Sequence, residues 1–140
     1  MVKYGSHTGL INLEACLDAV DAVANSAMIN TALKLHELLR SSPPVGTPID
    51  TAWASTNWIM SVDKPSESPV GTKQSIVRTD PGIAAVLQFD IKQNRTIFVQ
   101  NNTPYIARLN RGWSKQSPAG FVETAIDGAM LATGQVGGGK

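Results

Sequence analysis

Between Asn12 and Arg40 one helical face runs without a break. Leu13, Leu17, Val20, Ala24, Ala27, Thr31, Leu35 and Leu38 step by three or four, and Met28, Ile29, Leu33 and Leu39 widen the stripe. Asn12 can accept a hydrogen bond as N-cap, and Ser41-Ser42-Pro43-Pro44 ends the run, because proline cannot continue a helix. A helix over 12–40 is about 40 Å long at about 1.5 Å per residue. That exceeds the width of the core that a chain of 140 residues can build. Either part of the helix projects, or it packs on a neighbouring subunit. The alternative is a break near Asn25-Ser26.

The remainder reads as short strands and helices. Pro43 to Pro48 is a stiff linker, and from Ser55 to Val62 the chain alternates, with Thr56, Trp58, Met60 and Val62 on one side of a strand. Lys64 to Gln74, rich in Pro, Ser and Gly, is an exposed loop or a long hairpin connection, and Ser75–Arg78 is a candidate short strand at its far end. Asp80-Pro81 can open a helix that buries Ile83, Val86, Leu87 and Ile91. Thr96–Gln100 is a second strand, followed by the turn residues Asn101-Asn102. Pro104–Leu109 is compatible with a strand or a helical turn. A last helix over about 118–132 places Phe121, Ala125, Ile126, Ala129 and Met130 together. The fold class is α+β: a long N-terminal helix, a small antiparallel sheet with a long loop, helices on the sheet, and a C-terminal helix with a flexible tail. One domain covers 1–140, with 1–11 and 133–140 expected to be mobile.

Composition narrows the function. Hydrophobic residues make up 42% of the chain and charged residues only 16%, with a formal net charge of +1. Soluble domains usually carry about 25% charged residues, so neutral polar groups or other protein chains must cover this surface. The balance excludes a strongly basic nucleic-acid-binding domain, and no apolar run approaches the roughly 20 residues of a membrane span. The N-terminus lacks the pattern of a secretory signal, so a reducing cytosol is expected and the two Asn-x-Thr matches at Asn94 and Asn101 read as chance.

Candidates for chemistry are sparse. His7 and His36 are far apart, and His36 in the last helical turn is expected to face the negative end of the helix dipole. Cys16 reads as a small core hydrophobe, and Asp18 and Asp21 as a solvated helix edge. Gly71-Thr72-Lys73 lacks the earlier glycine of a phosphate loop. No set of convergent acids, bases or metal ligands emerges, so no enzyme, cofactor or metal is expected.

The segment from Lys92 to Ser117 is distinctive. It holds no acidic residue and interleaves Lys92, Arg95, Arg108, Arg111 and Lys115 with Phe98, Tyr105 and Trp113. Such a stretch meets an acidic partner or phosphates, or else its aromatics are core and its charges solvated. Trp113, after Arg111-Gly112 in a Gly/Ser/Pro-rich loop, suits an anchor for a partner's pocket.

The order of residues over Asn101-Asn102-Thr103-Pro104-Tyr105-Ile106-Ala107-Arg108-Leu109-Asn110-Arg111-Gly112-Trp113-Ser114-Lys115-Gln116-Ser117-Pro118-Ala119-Gly120 resembles a signature of the neck or tail-completion proteins of tailed bacteriophages. That signature reads Asn-Asn-x-Pro-Tyr-Ala, a Leu-Glu pair, then Gly-x-Ser-x-Gln-Ala-Pro-x-Gly and a closing helix. Thr47-Pro48-Ile49-Asp50-Thr51, followed by Ser55 and Trp58, is similar to the family's Thr-Pro-Val-Asp-Thr-Gly and Ser-Trp. The likeness covers roughly residues 10–132. Two positions depart: Ala52 replaces the glycine after Asp-Thr, and Asn110 replaces the glutamate of the Leu-Glu pair. If the glycine position needs φ > 0, Ala52 forces a different turn. If the glutamate makes an intersubunit ion pair, Asn110 can only hydrogen-bond.

The resemblance implies a structural virion protein without enzymatic activity, assembled in the host cytoplasm. It would form a ring that joins the head connector to the tail, six-fold by the symmetry of phage tails or twelve-fold on the portal side. Its partners would be copies of itself, adjoining connector or stopper and tail-tube proteins, and DNA in the lumen. Alternatives are a terminator ring on the tail tube, or a nucleic-acid binder using 92–115. Asp50 and Thr51 are expected to brace the opening of the first strand. Asn101, Asn102, Pro104 and Tyr105 are expected to shape the turn after the second, and Pro118 and Gly120 to open the last helix. Arg108, Arg111, Trp113, Lys115 and Gln116 are the expected contacts to a neighbouring chain. Trp58 is expected in the core; nothing in the sequence places Trp53.

Overall fold

A computed structural model describes residues 3–4 and 11–138. The first helix dominates it: α1 spans Leu13–Arg40 unbroken through Asn25-Ser26. Asn12 caps it, its Oδ1 accepting from the Ala15 N–H at 3.1 Å, and the Ser41 N–H closes the far end on the Leu38 carbonyl. Ahead of it, β1 (Lys3–Tyr4) pairs antiparallel with β2 (Ile11–Asn12). After it come α2 (Trp53–Thr56), β3 (Trp58–Val62), α3 (Ile83–Leu87), β4 (Ile97–Asn101), α4 (Ile106–Asn110) and α5 (Phe121–Gly138). The fold is α+β.

β3 and β4 form a two-stranded antiparallel sheet in which Trp58 faces Asn101, Met60 faces Val99 and Val62 faces Ile97. The period of two puts Trp58, Met60 and Val62 on the side that meets α1. Two apolar clusters result. One joins Leu39 of α1, Trp58, and Phe121 and Ala125 of α5; the other joins Ala32, Met60 and Val86. The core tryptophan is further fixed by its indole N–H, which donates to Thr47 Oγ1 at 2.7 Å.

α5 lies antiparallel along α1. Leu39 meets Phe121 and Ala125, Leu38 lies against Gly128, and Thr31 Oγ1 donates to Thr133 Oγ1 at 2.8 Å. Only the second half of α1 is covered in this way. Its buried residues are Ala32, His36 and Leu39, whereas Leu17, Val20 and Val23 are exposed. The first half of α1 is thus left uncovered by α5.

Several local expectations need correction. Thr56 belongs to the one-turn α2, where its hydroxyl donates to the Ala52 carbonyl, so the strand begins only at Trp58. Ser75–Arg78 is not a strand; Ser75 closes a turn on Thr72. α3 starts at Ile83 and is too short to present a stripe, so Ile83 and Leu87 are exposed while Val86 and Phe89 are buried. Cys16 is exposed rather than core. On α5 the buried stripe is narrower than expected, with Phe121, Ala125 and Ala129 inside and Ile126 and Met130 outside. The ambiguous segment after Pro104 is the short helix α4. Of the ends expected to be mobile, 133–138 continue α5 and Lys3–Tyr4 pairs with β2, while 1–2, 5–10 and 139–140 lie outside the described residues, as does His7.

The long connection from β3 to α3 is pinned to the sheet by amides. Asn57 accepts from the Val70 N–H at 2.6 Å and donates to the Val70 carbonyl at 2.9 Å. Gln100 and Asn102 hold Ser66 in a similar way. The connection ends under Asp80, whose carboxylate accepts from the N–H of Met60 on the open edge of β3. Gly82 is required beside it, since a Cβ there would fall 1.6 Å from the Met60 carbonyl oxygen.

Candidate functional site

The two stretches that carry the sequence motifs meet in space. Residues 48–54 and Tyr105, Leu109, Ser114 and Gln116, with Lys73, line one cleft of about 220 Å³. Gln116 fastens its two walls. Its amide N–H donates to the Ile49 carbonyl and its Oε1 accepts from the Ile49 N–H, both at 2.8 Å. This pair imitates a strand ladder, so the Gln116 side chain is engaged within its own chain rather than held out to a neighbour. Ser117, buried alongside, donates to the Gly46 carbonyl at 2.6 Å.

Trp53 finds its place here. Its indole N–H donates to the Val70 carbonyl at 3.1 Å, and its ring lies 6.0 Å from that of Tyr105 at 57°. Lys73 Nζ sits 4.9 Å from the centroid of Tyr105 on the open side. Burial pushes the Tyr105 phenol up from its ordinary value; the charge of Asp50 adds to this and a hydrogen bond with Thr51 opposes it. Thr51 Oγ1 also accepts from the Trp53 N–H at 3.3 Å. Asp50 and Thr51 thus stand at the first turn of α2 and beside Tyr105, not at the opening of a strand.

Ala52 has φ +72°, the left-handed conformation itself. Alanine at this position therefore adopts the left-handed turn rather than forcing a different one. Its carbonyl accepts from the Thr56 N–H and from the hydroxyls of Ser55 and Thr56.

The second departure has an equally local use. Asn110 Oδ1 accepts from the Val122 N–H at 3.0 Å, its amide donates to the Glu123 carboxylate at 2.9 Å, and its carbonyl accepts from the Gly120 N–H at 2.7 Å. Asn110 thus supports the free N–H groups at the start of α5. Gly120 reaches its position with φ +79°, for which glycine is suited, and its carbonyl accepts from the Thr124 N–H. Pro118 stands exposed just before it. Asn101 makes an Asx turn onto Thr103 while its amide donates to the Ala54 carbonyl, tying the end of β4 to α2. Pro104, which follows, is exposed.

Trp113 stands outside this packing. It is 71% exposed at the tip of the loop between α4 and α5, and the Arg108 guanidinium lies 5.1 Å from its ring centroid. Arg111 and Lys115 flank it, also exposed. The acid-free segment does not form one surface. Lys92 and Arg95 precede β4, and Arg108, Arg111 and Lys115 follow it, a strand length of about 17 Å apart at about 3.3 Å per residue. Lys92 is also paired, its Nζ lying 2.9 Å from Asp18 Oδ1 of α1. Hydrogen bonding and the charge of Asp18 hold the Lys92 amine above its ordinary value. Asp18 is therefore a brace between the first half of α1 and the loop before β4, a role its helical spacing did not disclose.

His36 is buried and is not facing the carbonyls at its own helix end. Its Nε2 lies 2.8 Å from Asp80 Oδ2 and 3.0 Å from the Trp58 carbonyl oxygen. Both neighbours are acceptors, so Nε2 carries the proton. Arg40 donates to the same Trp58 carbonyl and to that of Arg78. Burial lowers the Arg40 guanidinium from its ordinary value, against the opposing charge of Asp80. The cluster satisfies the open edge of β3. Among the described residues no group of three or more His, Cys, Asp or Glu is placed to hold a metal ion, and no helix is long and apolar enough to cross a membrane.

The sequence pattern pointed to Trp113 and its flanking cations but missed Ile49, Trp53 and Lys73 as walls of the cleft. Trp53 carried one hint, since it lies inside the Thr47–Trp58 block. Comparison with known proteins adds no relative: no protein-family model, no curated protein and no solved structure matches this chain.

Proposed function

We propose that this chain is a structural protein of the tailed-bacteriophage virion, forming a ring in the neck or tail-completion region that joins the head connector to the tail. The observation that carries the reading is the exposure of large apolar side chains on two separate surfaces. Leu17, Val20 and Val23 of α1 are 57%, 63% and 70% exposed, and Met130 and Leu131 of α5 are 62% and 63% exposed. Trp113 stands at the other end of the α1–α5 pair, where Leu39 meets Phe121. A subunit that buries two different surfaces against copies of itself makes head-to-tail contacts, the contacts that close a ring. The motif likeness supplies the kind of ring, and the low charged fraction accords with a surface largely covered by neighbours.

The nucleic-acid alternative has less support, because Lys92 is paired with Asp18 and the remaining cations fall at two ends of β4. A terminator ring on the tail tube uses the same two surfaces and differs only in position. Deletion of the gene from the phage or prophage genome that carries it tests the reading. Full heads and tails that accumulate unjoined, or tails of uncontrolled length for the terminator position, are expected. Normal infectious particles overturn it.

A further inference from the structure

One edge of β4 is left without a partner. The Asp63 N–H donates to the Thr96 carbonyl, so by the alternation of an antiparallel pair Thr96, Phe98 and Gln100 turn their backbone groups towards β3. Ile97, Val99 and Asn101 turn theirs outward. The outer edge of β3 obeys the same parity and is covered: Asp80 takes the Met60 N–H, and His36 and Arg40 meet the Trp58 carbonyl. Among the described residues no hydrogen bond reaches the N–H or the carbonyl of Ile97 or Val99. Edge strands that stay single are guarded by charges, prolines or bulges, yet residues 96–103 contain no charged residue, proline or glycine. Beside this edge, Met28, Thr31 and Leu35 of α1 with Ile97 and Val99 line an apolar groove of about 360 Å³. A strand laid along β4 satisfies the open groups and sets alternate side chains into that groove.

The chain carries one strand with a matching need. Among the described residues β1 pairs with β2 alone, and neither apolar cluster draws on either strand. A two-stranded sheet is marginal by itself in water, and a third strand with apolar cover stabilises it. Within one chain the two sheets do not meet, because β2 ends at the cap of α1 and the rise from Asn12 to Met28 is about 24 Å at about 1.5 Å per residue. We propose that β1 of a second copy adds to the open edge of β4, joining the two small sheets into one of four strands across the subunit boundary. The proposal rests on the ring reading and names a contact that builds the ring. Leu17, Val20 and Val23 follow β2 on the incoming arm, and Thr31 in the groove donates to Thr133, one turn from the exposed Met130. The arm thus brings uncovered apolar side chains to an uncovered apolar surface. Donor and acceptor edges differ, so each contact leaves one of each free, and addition continues until the rotation closes.

Substitution in the full-length chain tests the edge. Val99→Pro removes an N–H that points outward, where an edge strand tolerates proline, and leaves the ladder to β3 in place. Val99→Ala removes similar apolar bulk and keeps the N–H. Both should melt cooperatively, and in sedimentation Val99→Pro should associate about tenfold more weakly than Val99→Ala, the loss of a backbone hydrogen bond. Cross-linking tests the pairing without altering the edge groups. Two full-length variants, each with the only native cysteine removed by Cys16→Ser, carry one thiol apiece: Lys3→Cys on β1 and Thr96→Cys at the exposed start of β4. Mixed and treated with a short bismaleimide, they should give a heterodimer that neither gives alone. A dimer from Thr96→Cys alone means that two β4 edges pair symmetrically and overturns the proposal, as does a chain that stays monomeric at every concentration. Oligomers that tolerate Val99→Pro and yield no mixed product overturn the strand contact and leave the ring standing. Normal particles after gene deletion remove the virion role, whereas the mixed product decides the contact separately.

Discussion

His36 Nε2 and Asp80 Oδ2, 2.8 Å apart, tie the last turn of α1 to the start of the segment that leads into α3. Asp80 serves three donors at once: His36, the Met60 N–H at 2.9 Å and the Gly82 N–H at 2.7 Å. Burial alone would raise its carboxyl, but these hydrogen bonds outweigh it and hold Asp80 below the ordinary carboxylate range. Asp80→Asn replaces one acceptor oxygen with a donor and leaves a buried N–H unmatched. The expected cost is about 2 kcal/mol in denaturant unfolding at neutral pH.

The same pair sets an acid limit. A carboxyl whose folded value is depressed contributes stability that is complete above its unfolded value of about 3.9. That contribution declines as the pH falls through the lower, folded value. Asp63 acts with the same sign: the backbone N–H of Arg95, the Asn94 amide and the Thr96 N–H all donate to it and hold its carboxyl down. Unfolding midpoints of the unmodified chain should be level above about pH 5 and fall below about pH 4. Asp80→Asn and Asp63→Asn should each make that fall shallower. An acid limb unchanged in both variants would show that other groups govern it.

These contacts mark what the sequence could and could not disclose. The length of α1 was legible because its stripe and its caps are local: Asn12 and the Ser-Ser-Pro-Pro stop act within a few residues of the helix ends. The burial of Trp58 and Met60 followed from period-two alternation, whereas the pairing of Trp58 with Asn101, read from the sequence as a turn residue, did not. The side-chain clamps and the cleft walls obey no period. Asn57 holds Val70, Gln116 holds Ile49, and His36 finds Asp80, in each case across a gap that only the folded chain closes. For α2 the alternation itself misled, because Thr56 continues the pattern of the strand while its hydroxyl bonds back to Ala52. The stripe residues Leu17, Val20 and Val23 look like core until α5 is seen to cover only half of α1.

Ala52 offers a gain. A β-carbon at φ +72° costs about 1 kcal/mol that glycine avoids, partly offset by the greater freedom of glycine in the unfolded chain. Ala52→Gly should therefore stabilise the chain by a few tenths to about 1 kcal/mol while keeping the hydrogen bonds to the Ala52 carbonyl. Thermal unfolding of the two forms measures it, and a destabilised variant would mean that the Ala52 methyl contributes to packing at the cleft.

Asn110 should be sensitive in a different sense. Asn110→Ala removes the acceptor for Val122 N–H and the donor to Glu123, at a cost of about 1 kcal/mol. Asn110→Glu introduces the residue of the motif but sets a second carboxylate against Glu123, so it should cost at least as much. Glu123→Gln on that background should recover part of the loss. If Asn110→Glu alone proves neutral at low salt, repulsion between the two carboxylates is not what keeps asparagine there.

The contrast between two tryptophans is the sharpest test of which surface belongs to the core and which to a partner. Trp58 is 6% exposed, packs on Leu39 and Phe121 and donates to Thr47; Trp113 is 71% exposed and touches Arg108. Trp58→Ala should cost about 3–5 kcal/mol of folding stability, as the loss of a large buried ring does. Trp113→Ala forfeits only an exposed cation–π contact, so its unfolding midpoint should stay within about 1 kcal/mol. Its loss should appear instead in assembly, weakened by about 2 kcal/mol. Denaturant melts and sedimentation on the same samples separate the two effects. A broad, uncooperative melt of the Trp113 variant would place that ring in the core rather than at a partner surface.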